Sequence, residues 1–522
     1  MRQVKLLSAL LLLLAVPACS ARRSTHTTLR QTIFQQTTVN DLLPDVADGS
    51  FEDLTESDTA FDDLVENNSP AELFSVPPGA PIKTLREEDD STVLMLSNLP
   101  GYSLTFKQPK LCDTSVRQYS GYLNVDSDKH FFFWFFESRT SPAKDPLMMW
   151  LNGGPGCSSL LGLFMELGPC MINPDGNGTH VNQAGWNTKS NVIFLDQPLN
   201  VGYSYGTGVS NSEDAAKDVY AFMQLFYTAF PRFQQHDFHL FGESYGGHYV
   251  PAIGDEIRRN NKGAQADGYH VINLKSIGIG NGLTDPLVQY KYYGDMACKN
   301  SFLSKEQCAS MDAAYPTCAR LINLCYRFPS SFACVPPAAY CNKQMLEPYV
   351  RAGYNPYDVR VKCDPSTPLC YSEITAITKY LNLPHVMREL GAKVSKFDSC
   401  NTDINRQFMM AGDWMRPYVR KVPKILEAGI RVLVYAGDAD FICNWMGNKA
   451  WTIEMEWAGK SKFSATKDQP WTVDGIDAGE VREVGPLTFL RVYKAGHMVP
   501  YDQPANSLDM INRWLAKESF LN

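Results

Sequence analysis

The 522-residue sequence predicts an α/β protein with a mostly parallel central sheet that is covered by helices on both faces. Short runs of nearly continuous apolar residues recur along the chain, and such runs are typical of parallel strands buried on both faces. Stretches of helical length, such as 212–229, separate these runs. One apolar run ends in a serine between glycines, which is the signature of a sharp turn from a strand into a helix.

The predicted core strands fall into two groups along the chain. The first group is HFFFWFFES (130–138), PLMMWLNGG (146–154), NVIFLDQP (191–198), DFHLFGES (237–244) and LKSIGIGNG (274–282). The second group is RVLVYAGD (431–438) and LTFLRVYKAG (487–496). The segment between the groups, roughly 285–419, does not continue the pattern, so we predict an insertion that interrupts one sheet.

Cysteines mark the same insertion. The chain has 14 cysteines, and eight of them lie between Cys298 and Cys370. This cluster contains no CxxC pair and no histidine, which makes a zinc site a poor interpretation. Behind a signal peptide the pattern instead predicts a disulfide framework formed in an oxidising compartment, with one thiol left over.

The N-terminus has the features of a secretory signal peptide over residues 1–21. Arg2 and Lys5 form its charged start, Leu6–Val16 its apolar run, and small residues around Cys19 its cleavage site. The apolar run is too short to span a bilayer, and we find no other stretch of about 18 uncharged apolar residues. We therefore expect entry into the secretory pathway and no membrane span.

Acidity is concentrated in the segment that follows the signal. Residues 22–104 carry 15 acidic and 5 basic residues, whereas residues 105–522 carry 41 of each, a balance that does not suit a nucleic-acid partner. FEDLTESDTAFDDLVENN, starting at Phe51, repeats apolar residues at helical spacing. A disordered acidic tail is the alternative, but the apolar face favours a pro-segment that docks on the folded protein. PPGAP at 77–81 is typical of a linker.

The serine between glycines lies in HDFHLFGESYGGHYVP at 236–251. In a nucleophile elbow the turn leaves no room for a side chain at Gly242 or Gly246, and it presents the hydroxyl of Ser244 at the end of the strand. The helix that follows directs its N-terminal amides to the same point. A glycine-rich turn without chemistry is the alternative interpretation of this motif alone.

Two later loops supply partners for Ser244. The elbow fold, the α/β-hydrolase fold, carries its triad in the order serine, acid, histidine, with the acid and the histidine in loops after later strands. VYAGDADFICNW places Asp438 and Asp440 after one predicted strand, and VYKAGHMVPYDQP places His497 after the next. Both the order and the strand context favour a catalytic serine.

A further motif, WLNGGPGCSS at 150–159, follows another predicted strand. Its glycines and proline leave backbone amides uncovered, as an oxyanion hole requires, and Asn152 replaces the histidine of the comparable esterase loop. A turn anchored by a disulfide at Cys157 is the alternative.

Long runs that cover nearly all of 106–522 resemble the serine carboxypeptidase family. They include QYSGYL, DKHFFFWFFESR, WLNGGPGCSSL, VIFLDQPLNVGYSY, GESYGGHYVP, SCNTDINRQFMMAGDWM and YAGDADFICNWMGNKAW. The resemblance implies a serine-type carboxypeptidase that releases C-terminal amino acids from peptides and proteins through an acyl-enzyme, without a metal or a cofactor. The implied organisation is a signal (1–21), an acidic pro-segment (22–105), a core in two parts (106–284 and 420–522) and a disulfide-rich, largely helical cap (285–419).

The resemblance also assigns site residues. The family's triad falls on Ser244, Asp440 and His497, and Asp438 becomes a structural loop residue. The oxyanion-hole amides fall at Gly154 and Tyr245. The positions that bind the substrate carboxylate are Asn152, Gly153, Glu166 and Glu243. The substrate pocket falls on Leu283, Tyr290, Tyr293, Trp414, Ile442 and Cys443, and Tyr357 and Met498 border the leaving residue. The sequence departs from close relatives at Gly246, where they have alanine.

Disulfide pairing follows from the same resemblance. The implied pairs are Cys157–Cys400, Cys298–Cys308, Cys318–Cys341, Cys325–Cys334 and Cys363–Cys370. Cys112 and Cys170 are left after these pairs and the free thiol, so we expect them to form a sixth bond. Asn177, in NGT, is the only glycosylation sequon after the predicted pro-segment.

The glutamate beside the serine has a role in this interpretation. Two close carboxyl groups, Glu243 and Glu166, cannot both ionise cheaply, so the pKa of one rises and its protonated form donates a hydrogen bond to the substrate's free carboxylate. We therefore expect peptide hydrolysis to favour acidic pH, with a preference for hydrophobic residues near the cleaved bond.

Two other functions compete with this prediction. An acyltransferase on the same scaffold would not need the four carboxylate-binding positions, and a non-catalytic binding subunit would not need the triad. The expected location is a vacuole or lysosome, with secretion as the alternative, and the pro-segment is expected to act as an intramolecular inhibitor and folding aid.

Overall fold

The computed structural model describes residues 82–86, 91–96, 99–125, 128–364 and 366–521. The predicted signal peptide and the predicted amphipathic stretch of the leader lie outside these residues. The strands, β1 to β16 in chain order, are Ile82–Arg86, Thr92–Leu96, Leu99–Lys107, Gln118–Val125, Lys129–Phe136, Leu147–Leu151, Cys170–Ile172, Thr179–Val181, Asn191–Leu195, Tyr205–Gly206, Phe238–Glu243, Leu274–Gly280, Arg431–Gly437, Gln469–Val473, Ile476–Val484 and Leu487–Val492.

Helices separate the strands and fill the insertion. The helices, α1 to α16 in chain order, are Leu160–Met165, Ser212–Ala229, Gly246–Asn260, Pro286–Gln289, Lys291–Lys299, Lys305–Arg327, Ser331–Cys341, Glu347–Arg351, Glu373–Leu381, Pro384–Leu390, Thr402–Met410, Val422–Glu427, Trp445–Glu454, Lys460–Ala465, Val499–Asp502 and Pro504–Ala516. Short 3-10 turns occur at Trp186–Thr188, Pro231–Phe233, Pro368–Cys370, Asp413–Met415 and Tyr418–Lys421, and a π-helical turn at Asn342–Leu346. Of the helices in the described ranges, none is long and apolar enough to cross a bilayer.

The central sheet is mixed. Its strand order is β1-β2-β3-β4-β5-β9-β6-β11-β12-β13-β16-β15-β14, and β10 pairs with β5. The six central strands, from β9 to β16, pair in parallel, and antiparallel strands extend the sheet on both sides. The seven predicted core strands are all present, but the parallel arrangement holds only for the centre.

Both faces of the sheet are covered, as the continuous apolar runs predict. In β5, Phe131, Phe133 and Phe135 pack in one core with α2 and α3. The alternating residues Phe132, Trp134 and Phe136 pack in a second core with α1 and α16. Successive side chains of a strand point to opposite faces, so a run without polar residues needs an apolar partner on each face.

The insertion between β12 and β13 divides into two parts with different packing. Helices α4 to α8 form their own apolar cluster around Tyr290, Met311 and Tyr349. Helices α9 and α10 instead join the core of the sheet through Ile377 and Leu390. Only the first part of the predicted cap therefore has a core of its own.

The described part of the chain contains six disulfides, and they are the six predicted pairs: Cys112–Cys170, Cys157–Cys400, Cys298–Cys308, Cys318–Cys341, Cys325–Cys334 and Cys363–Cys370. The remaining thiol among the described residues is Cys443, which is buried. Cys157–Cys400 joins the glycine-rich loop after β6 to the insertion, across 243 residues of sequence.

Strands β1 and β2 and most of β3 lie in the segment predicted to be a pro-segment, 22–105. Strand β3 pairs with β4 over Tyr102–Lys107, and the side chains of Tyr102 and Leu104 are buried in the core. A boundary between 105 and 106 would thus cut inside β3. The acidic composition of 22–104 carries no signal for this pairing, because a composition count does not record the order of residues along a strand.

Candidate active site

Ser244 occupies a strained turn between β11 and α3. Its φ angle is 60°, in the left-handed region that non-glycine residues rarely adopt. The backbone N–H of Ser244 lies 3.1 Å from the carbonyl oxygen of Gly280 and 3.2 Å from that of Asn281, so the end of β12 holds the turn. This is the geometry of a nucleophile elbow.

Of the two glycines predicted to exclude a side chain around Ser244, Gly242 does so and Gly246 does not. A Cβ at Gly242 would lie 2.8 Å from the carbonyl oxygen of Leu151, and one at Gly247 would lie 2.4 Å from that of Leu283. A Cβ at Gly246 would come no closer than 3.6 Å to Leu151, which is an ordinary contact. The prediction that Gly246 excludes a side chain is therefore wrong, and Gly247 carries that constraint instead.

Asp440 and His497 are hydrogen-bonded and buried. His497 lies in the loop after β16 and Asp440 in the loop after β13. Nδ1 of His497 lies 2.8 Å from Oδ2 of Asp440, and both side chains are buried. The amide Nδ2 of Asn281 donates to the same Oδ2 at 2.8 Å, and the backbone N–H groups of Ile442 and Cys443 donate to the carboxylate at 3.1 and 3.3 Å. Because β11, β12, β13 and β16 are neighbours, Ser244, Asp440 and His497 all follow strands that end at one edge of the sheet.

Asp438 has a different environment from Asp440. Its Oδ1 accepts the backbone N–H of Lys494 at 2.9 Å, and its Oδ2 lies 3.4 Å from Nη2 of Arg491. These contacts hold the loop before His497 and direct Asp438 to Arg491, which supports the structural role that the resemblance assigns to it.

The loop after β6 approaches the elbow closely. A Cβ at Gly153 would lie 2.3 Å from the backbone nitrogen of Tyr245 and 2.8 Å from Cβ of Ser244, so only glycine allows this approach. Gly154 has a φ of 109°, which also favours glycine. Among the described residues, the backbone amides of Gly154 and Tyr245 donate to no other protein group. They are free to bind an oxyanion beside Ser244.

Asp196, which is buried, accepts hydrogen bonds from the residues that follow the glycines of this loop. Its Oδ1 accepts the hydroxyl of Ser158 at 2.5 Å and the backbone N–H of Ser159 at 3.1 Å, and its Oδ2 accepts the N–H of Tyr203 at 2.9 Å. Burial raises the pKa of Asp196 to about 7. The hydroxyl of Ser159 in turn faces the backbone N–H of Asn152 at 3.3 Å.

Asn152 lies between two buried glutamates. Its Nδ2 donates to Oε1 of Glu243 at 2.9 Å and to Oε1 of Glu166 at 3.2 Å. Its Oδ1 accepts the indole N–H of Trp150 and the backbone N–H of Gly162, both at 2.9 Å. These two donors fix the orientation of the amide, because an N–H group cannot accept a hydrogen bond.

The two glutamates are driven toward protonation. Burial raises the pKa of Glu166, and burial together with the adjacent Glu166 raises the pKa of Glu243 well above its ordinary value. Both side chains are almost fully buried and no cation pairs with either of them in the described residues. Because both hydrogens of the Asn152 amide are engaged by the glutamates, a carboxyl proton is the donor that the pair can offer to an incoming anion.

The predicted pocket residues lie mostly in one apolar cluster, that of the first part of the insertion: Leu283, Tyr290, Tyr293, Trp414, Ile442 and Cys443. The indole N–H of Trp414 donates to the hydroxyl of Tyr290 at 2.8 Å, and the hydroxyl of Tyr293 donates to the carbonyl oxygen of Ile442 at 2.7 Å. The polar atoms of these side chains are thus satisfied within the cluster, and the rest of their surface is aromatic and aliphatic.

Comparison with known proteins decides the family. A sequence profile described as serine carboxypeptidase matches residues 107–517, most of the chain. The chain belongs to the serine carboxypeptidase family. It is 52% identical to Carboxypeptidase Y of Candida albicans over 428 residues, which are 80% of this chain and 77% of that protein. It is 53% identical to Carboxypeptidase Y homolog A of Chaetomium globosum over 419 residues, 79% of this chain and 74% of that protein.

A solved structure of the same kind is also similar to this carboxypeptidase. It is that of Kex1(delta)p, a prohormone-processing carboxypeptidase from Saccharomyces cerevisiae, with a TM-score of 0.69 and 27% identity, covering 78% of this chain and 94% of that one. The protein is therefore a serine-type carboxypeptidase with the α/β-hydrolase fold, as the motifs predict.

Tyr357 and Met498, predicted to border the leaving residue, flank the histidine of the carboxypeptidase. The carbonyl oxygen of Tyr357 accepts the backbone N–H of His497 at 2.8 Å, and the two rings lie 5.3 Å apart. Met498 is the next residue and is buried. The sulfur of Cys443 lies within 4.8 Å of a ring nitrogen of His497 and of a carboxylate oxygen of Asp440. Burial, together with the charges of Asp440 and Glu243, raises the pKa of the Cys443 thiol well above its ordinary value.

Sequence reasoning assigned no role to Asn281 or Trp150, yet both hold site residues of the carboxypeptidase. Asn281 donates to Asp440, and its Oδ1 accepts the backbone N–H of Gly437 at 3.1 Å, which ties the elbow to the acid loop. Trp150 orients Asn152. The asparagine between glycines at the end of a strand was the available signal for Asn281, whereas Trp150 is indistinguishable in sequence from any buried strand residue.

Proposed function

We propose that Ser244, His497 and Asp440 perform the hydrolysis and that Asn152, Gly153, Glu166 and Glu243 select a substrate's C-terminal carboxylate, so that the enzyme works best on peptides at acidic pH. The single observation that carries this proposal is the pair of buried, protonation-prone glutamates around Asn152, adjacent to the elbow. An endopeptidase would have no use for a site that donates a proton to a terminal carboxylate beside its nucleophile.

The proposed reaction has two stages, acylation of Ser244 and hydrolysis of the acyl-enzyme. The Oγ of Ser244 attacks the last peptide carbonyl carbon while a ring nitrogen of His497 takes the hydroxyl proton, and Asp440 stabilises the resulting imidazolium. The N–H groups of Gly154 and Tyr245 bind the oxyanion. His497 then gives the proton to the leaving amino group, the C–N bond breaks, and an ester to Ser244 remains. Water, deprotonated by His497, hydrolyses that ester and restores the serine.

The pocket formed by Leu283, Tyr290, Tyr293, Trp414, Ile442 and Cys443 supports a preference for hydrophobic residues before the cleaved bond, with Tyr357 and Met498 bordering the released one. An acyltransferase on the same scaffold would not need the glutamate pair, and no observation in the structure favours it. A non-catalytic role alone would leave the triad without a use.

Release of a free amino acid from an N-blocked dipeptide tests the proposal. We expect acid-favoured release that a serine-directed phosphonylating inhibitor abolishes, with phenylalanine preferred over lysine or aspartate at the penultimate position. The blocked dipeptide carboxamide is the matched substrate. Transfer of the acyl group to an alcohol without net hydrolysis would instead indicate the acyltransferase.

Residues 22–105 are the proposed pro-segment, an intramolecular inhibitor and folding aid. Support comes from β3, which covers the edge of β4 with the buried side chains of Tyr102 and Leu104. A chain of 106–522 behind the signal peptide would expose that edge and the apolar surface beneath it. We expect such a chain to give at least several-fold less active enzyme than the full sequence. A chain that starts at residue 82 should recover yield if the strands are the folding aid, and equal yields from all three would contradict the role.

The proposed location is a vacuole or lysosome, with secretion as the alternative. The predicted signal peptide and the six disulfides support an oxidising secretory route. Asn177 is exposed in the turn between β7 and β8, where a glycan can attach without displacing the core. The compartment in which a tagged full-length chain accumulates distinguishes the two destinations, and a mobility shift on glycosidase treatment that N177Q abolishes tests the glycan.

A further inference from the structure

Asp413 is a fully buried carboxylate to which neither the motifs nor the proposed mechanism assigns a role. It lies in the 3-10 turn Asp413–Met415, immediately before the pocket residue Trp414. A carboxylate without solvent requires donors to offset the cost of its burial, and a side chain that only filled space would be apolar. Its partners therefore indicate what it does.

Three hydroxyl groups donate to Asp413. The hydroxyls of Tyr245 and Ser212 lie 2.7 and 2.6 Å from its Oδ2, and the hydroxyl of Tyr418 lies 2.6 Å from its Oδ1. Nη1 of Arg416 is 4.0 Å from Oδ1 and is the paired cation. These three donors come from separate parts of the chain: the elbow, the start of α2 and the turn before α12.

Tyr245 is the informative partner, because its backbone N–H is one of the two proposed oxyanion donors. Its side chain is fully buried and its ring lies 5.4 Å from that of Trp414. The hydroxyl that donates to Asp413 and the amide proposed to bind the oxyanion thus belong to the same residue, Tyr245, at opposite ends of its rigid side chain. The hydrogen bond to Asp413 at one end of this ring, and its packing against His248 and Trp414, leave the side chain no free rotation. A displacement of the hydroxyl would therefore be passed to the backbone of Tyr245 at the start of α3.

His248 connects the same cluster to the pocket wall. Its ring lies between those of Tyr245 and Tyr418, with centroids 4.5 and 4.6 Å away. Its Nδ1 lies 2.5 Å from the carbonyl oxygen of Leu283 and its Nε2 lies 3.2 Å from that of Trp414. The two tyrosines that donate to Asp413 therefore also hold the imidazole that faces two residues of the pocket.

We propose that Asp413 is a positioning residue that links the pocket wall at Trp414 to the oxyanion-binding amide of Tyr245. Occupation of the pocket by a large side chain and stabilisation of the oxyanion then depend on one buried cluster. The inference rests on the proposed roles of Ser244 and Tyr245, and it adds that the Tyr245 hydroxyl, through Asp413, contributes to transition-state stabilisation and not to substrate binding.

Tyr245→Phe and Tyr418→Phe form a matched pair of variants, since each removes one hydroxyl from the same carboxylate. For Tyr245→Phe we expect kcat to fall about tenfold with KM nearly unchanged, because a displaced oxyanion donor acts only in the transition state. An N-blocked peptide aldehyde, whose hemiacetal oxygen would occupy the oxyanion hole, should bind about tenfold more weakly, whereas inhibition by a free hydrophobic amino acid should not change. Tyr418→Phe should lower Tm to a similar extent but leave kcat within about twofold.

Asp413→Asn provides the second measurement. We expect it to lower kcat by more than Tyr245→Phe does. It should also reduce the preference for phenylalanine over alanine at the penultimate position, because the hydrogen bonds that hold the turn at Trp414 are weakened. Equal losses of kcat in the two tyrosine variants that follow their losses of Tm would overturn the inference, as would a loss confined to KM. Titration with the phosphonylating inhibitor distinguishes failure of the proposed function from failure of the role of Asp413. A wild-type enzyme that the inhibitor does not label would refute the proposed function. Full labelling, with equal losses of kcat in the two tyrosine variants, would refute only the role of Asp413.

Discussion

Replacing Ser244 with alanine is expected to lower kcat/KM by roughly four to six orders of magnitude, with about 10³-fold catalysis over water remaining from the oxyanion hole and binding. The φ of 60° at this residue is imposed by the elbow, and alanine can occupy the same backbone position as serine because only the hydroxyl is removed. The fold and the carboxylate site should therefore survive. The measurement is single-turnover and steady-state hydrolysis of a blocked dipeptide.

The control for this prediction lies in the triad itself. Residues that act as one unit are not additive, so Ser244→Ala with His497→Ala should be scarcely slower than Ser244→Ala alone. Asp440→Asn should lower kcat/KM by less than Ser244→Ala does, although Asn281 and two backbone amides would then face a neutral group. Near-normal hydrolysis by Ser244→Ala with intact Tm would assign the chemistry to another residue.

The sheet could be predicted where sequence pattern and burial coincide. The alternating aromatic run of β5 has an apolar partner on each face, and that demand is visible in the sequence. The antiparallel strands β1 to β3, which extend one side of the sheet, could not be predicted, because their pairing depends on a register that short, mixed sequences do not specify. The division of the insertion was also not predictable, since α9 and α10 are amphipathic in the same way whether they cover a sheet or another helix.

The site divides along a similar line. Motifs specify residues whose chemistry depends on local backbone, such as the elbow at Ser244 and the loop at Gly153 and Gly154. The misplaced constraint at Gly246 arose because clashes in the elbow depend on where Leu283 and Leu151 lie in the fold. Contacts such as Asn281 to Asp440 join residues 159 positions apart, and no local pattern encodes them.

The largest effect of pH is expected on substrates with a free carboxylate. Burial, and for Glu243 also its neighbour, raises the pKa values of Glu166 and Glu243 above the ordinary value of 4.5. A raised pKa means that the pair keeps its proton at pH values where a solvent-exposed glutamate would be ionised. As pH rises through the raised pKa, the pair loses its donor and gains a charge that repels the substrate, so kcat/KM for peptides should fall. The free energy of unfolding should fall between pH 4.5 and the raised pKa, because over that range the unfolded chain has released protons that the folded chain still holds.

Carboxamides provide the matched substrate for this prediction. In the proposed mechanism they use Ser244 and His497 in the same way but present no charge to Asn152 and the glutamates. Their kcat/KM should therefore keep its value to higher pH, and the ratio of peptide to carboxamide activity should isolate the glutamate pair from the histidine. Superimposable profiles for a blocked dipeptide and its carboxamide in the wild-type enzyme would remove Glu243 from substrate selection.

Two variants separate donation of a proton from loss of the site. Glu243→Gln keeps a donor at every pH, so the alkaline loss for peptides should weaken while the acidic activity remains. Asn152→Ala combined with Glu243→Ala removes both the amide and one carboxyl, and it should raise KM for peptides by roughly ten- to hundredfold while changing carboxamides little, because a charge-assisted hydrogen bond is worth roughly 1.5–3 kcal/mol. Equal increases for both substrates would mean that the variant has damaged the elbow next to Gly153 and not the carboxylate site. A peptide profile in Glu243→Gln that still falls at the wild-type pH would instead place the titrating group outside the glutamate pair.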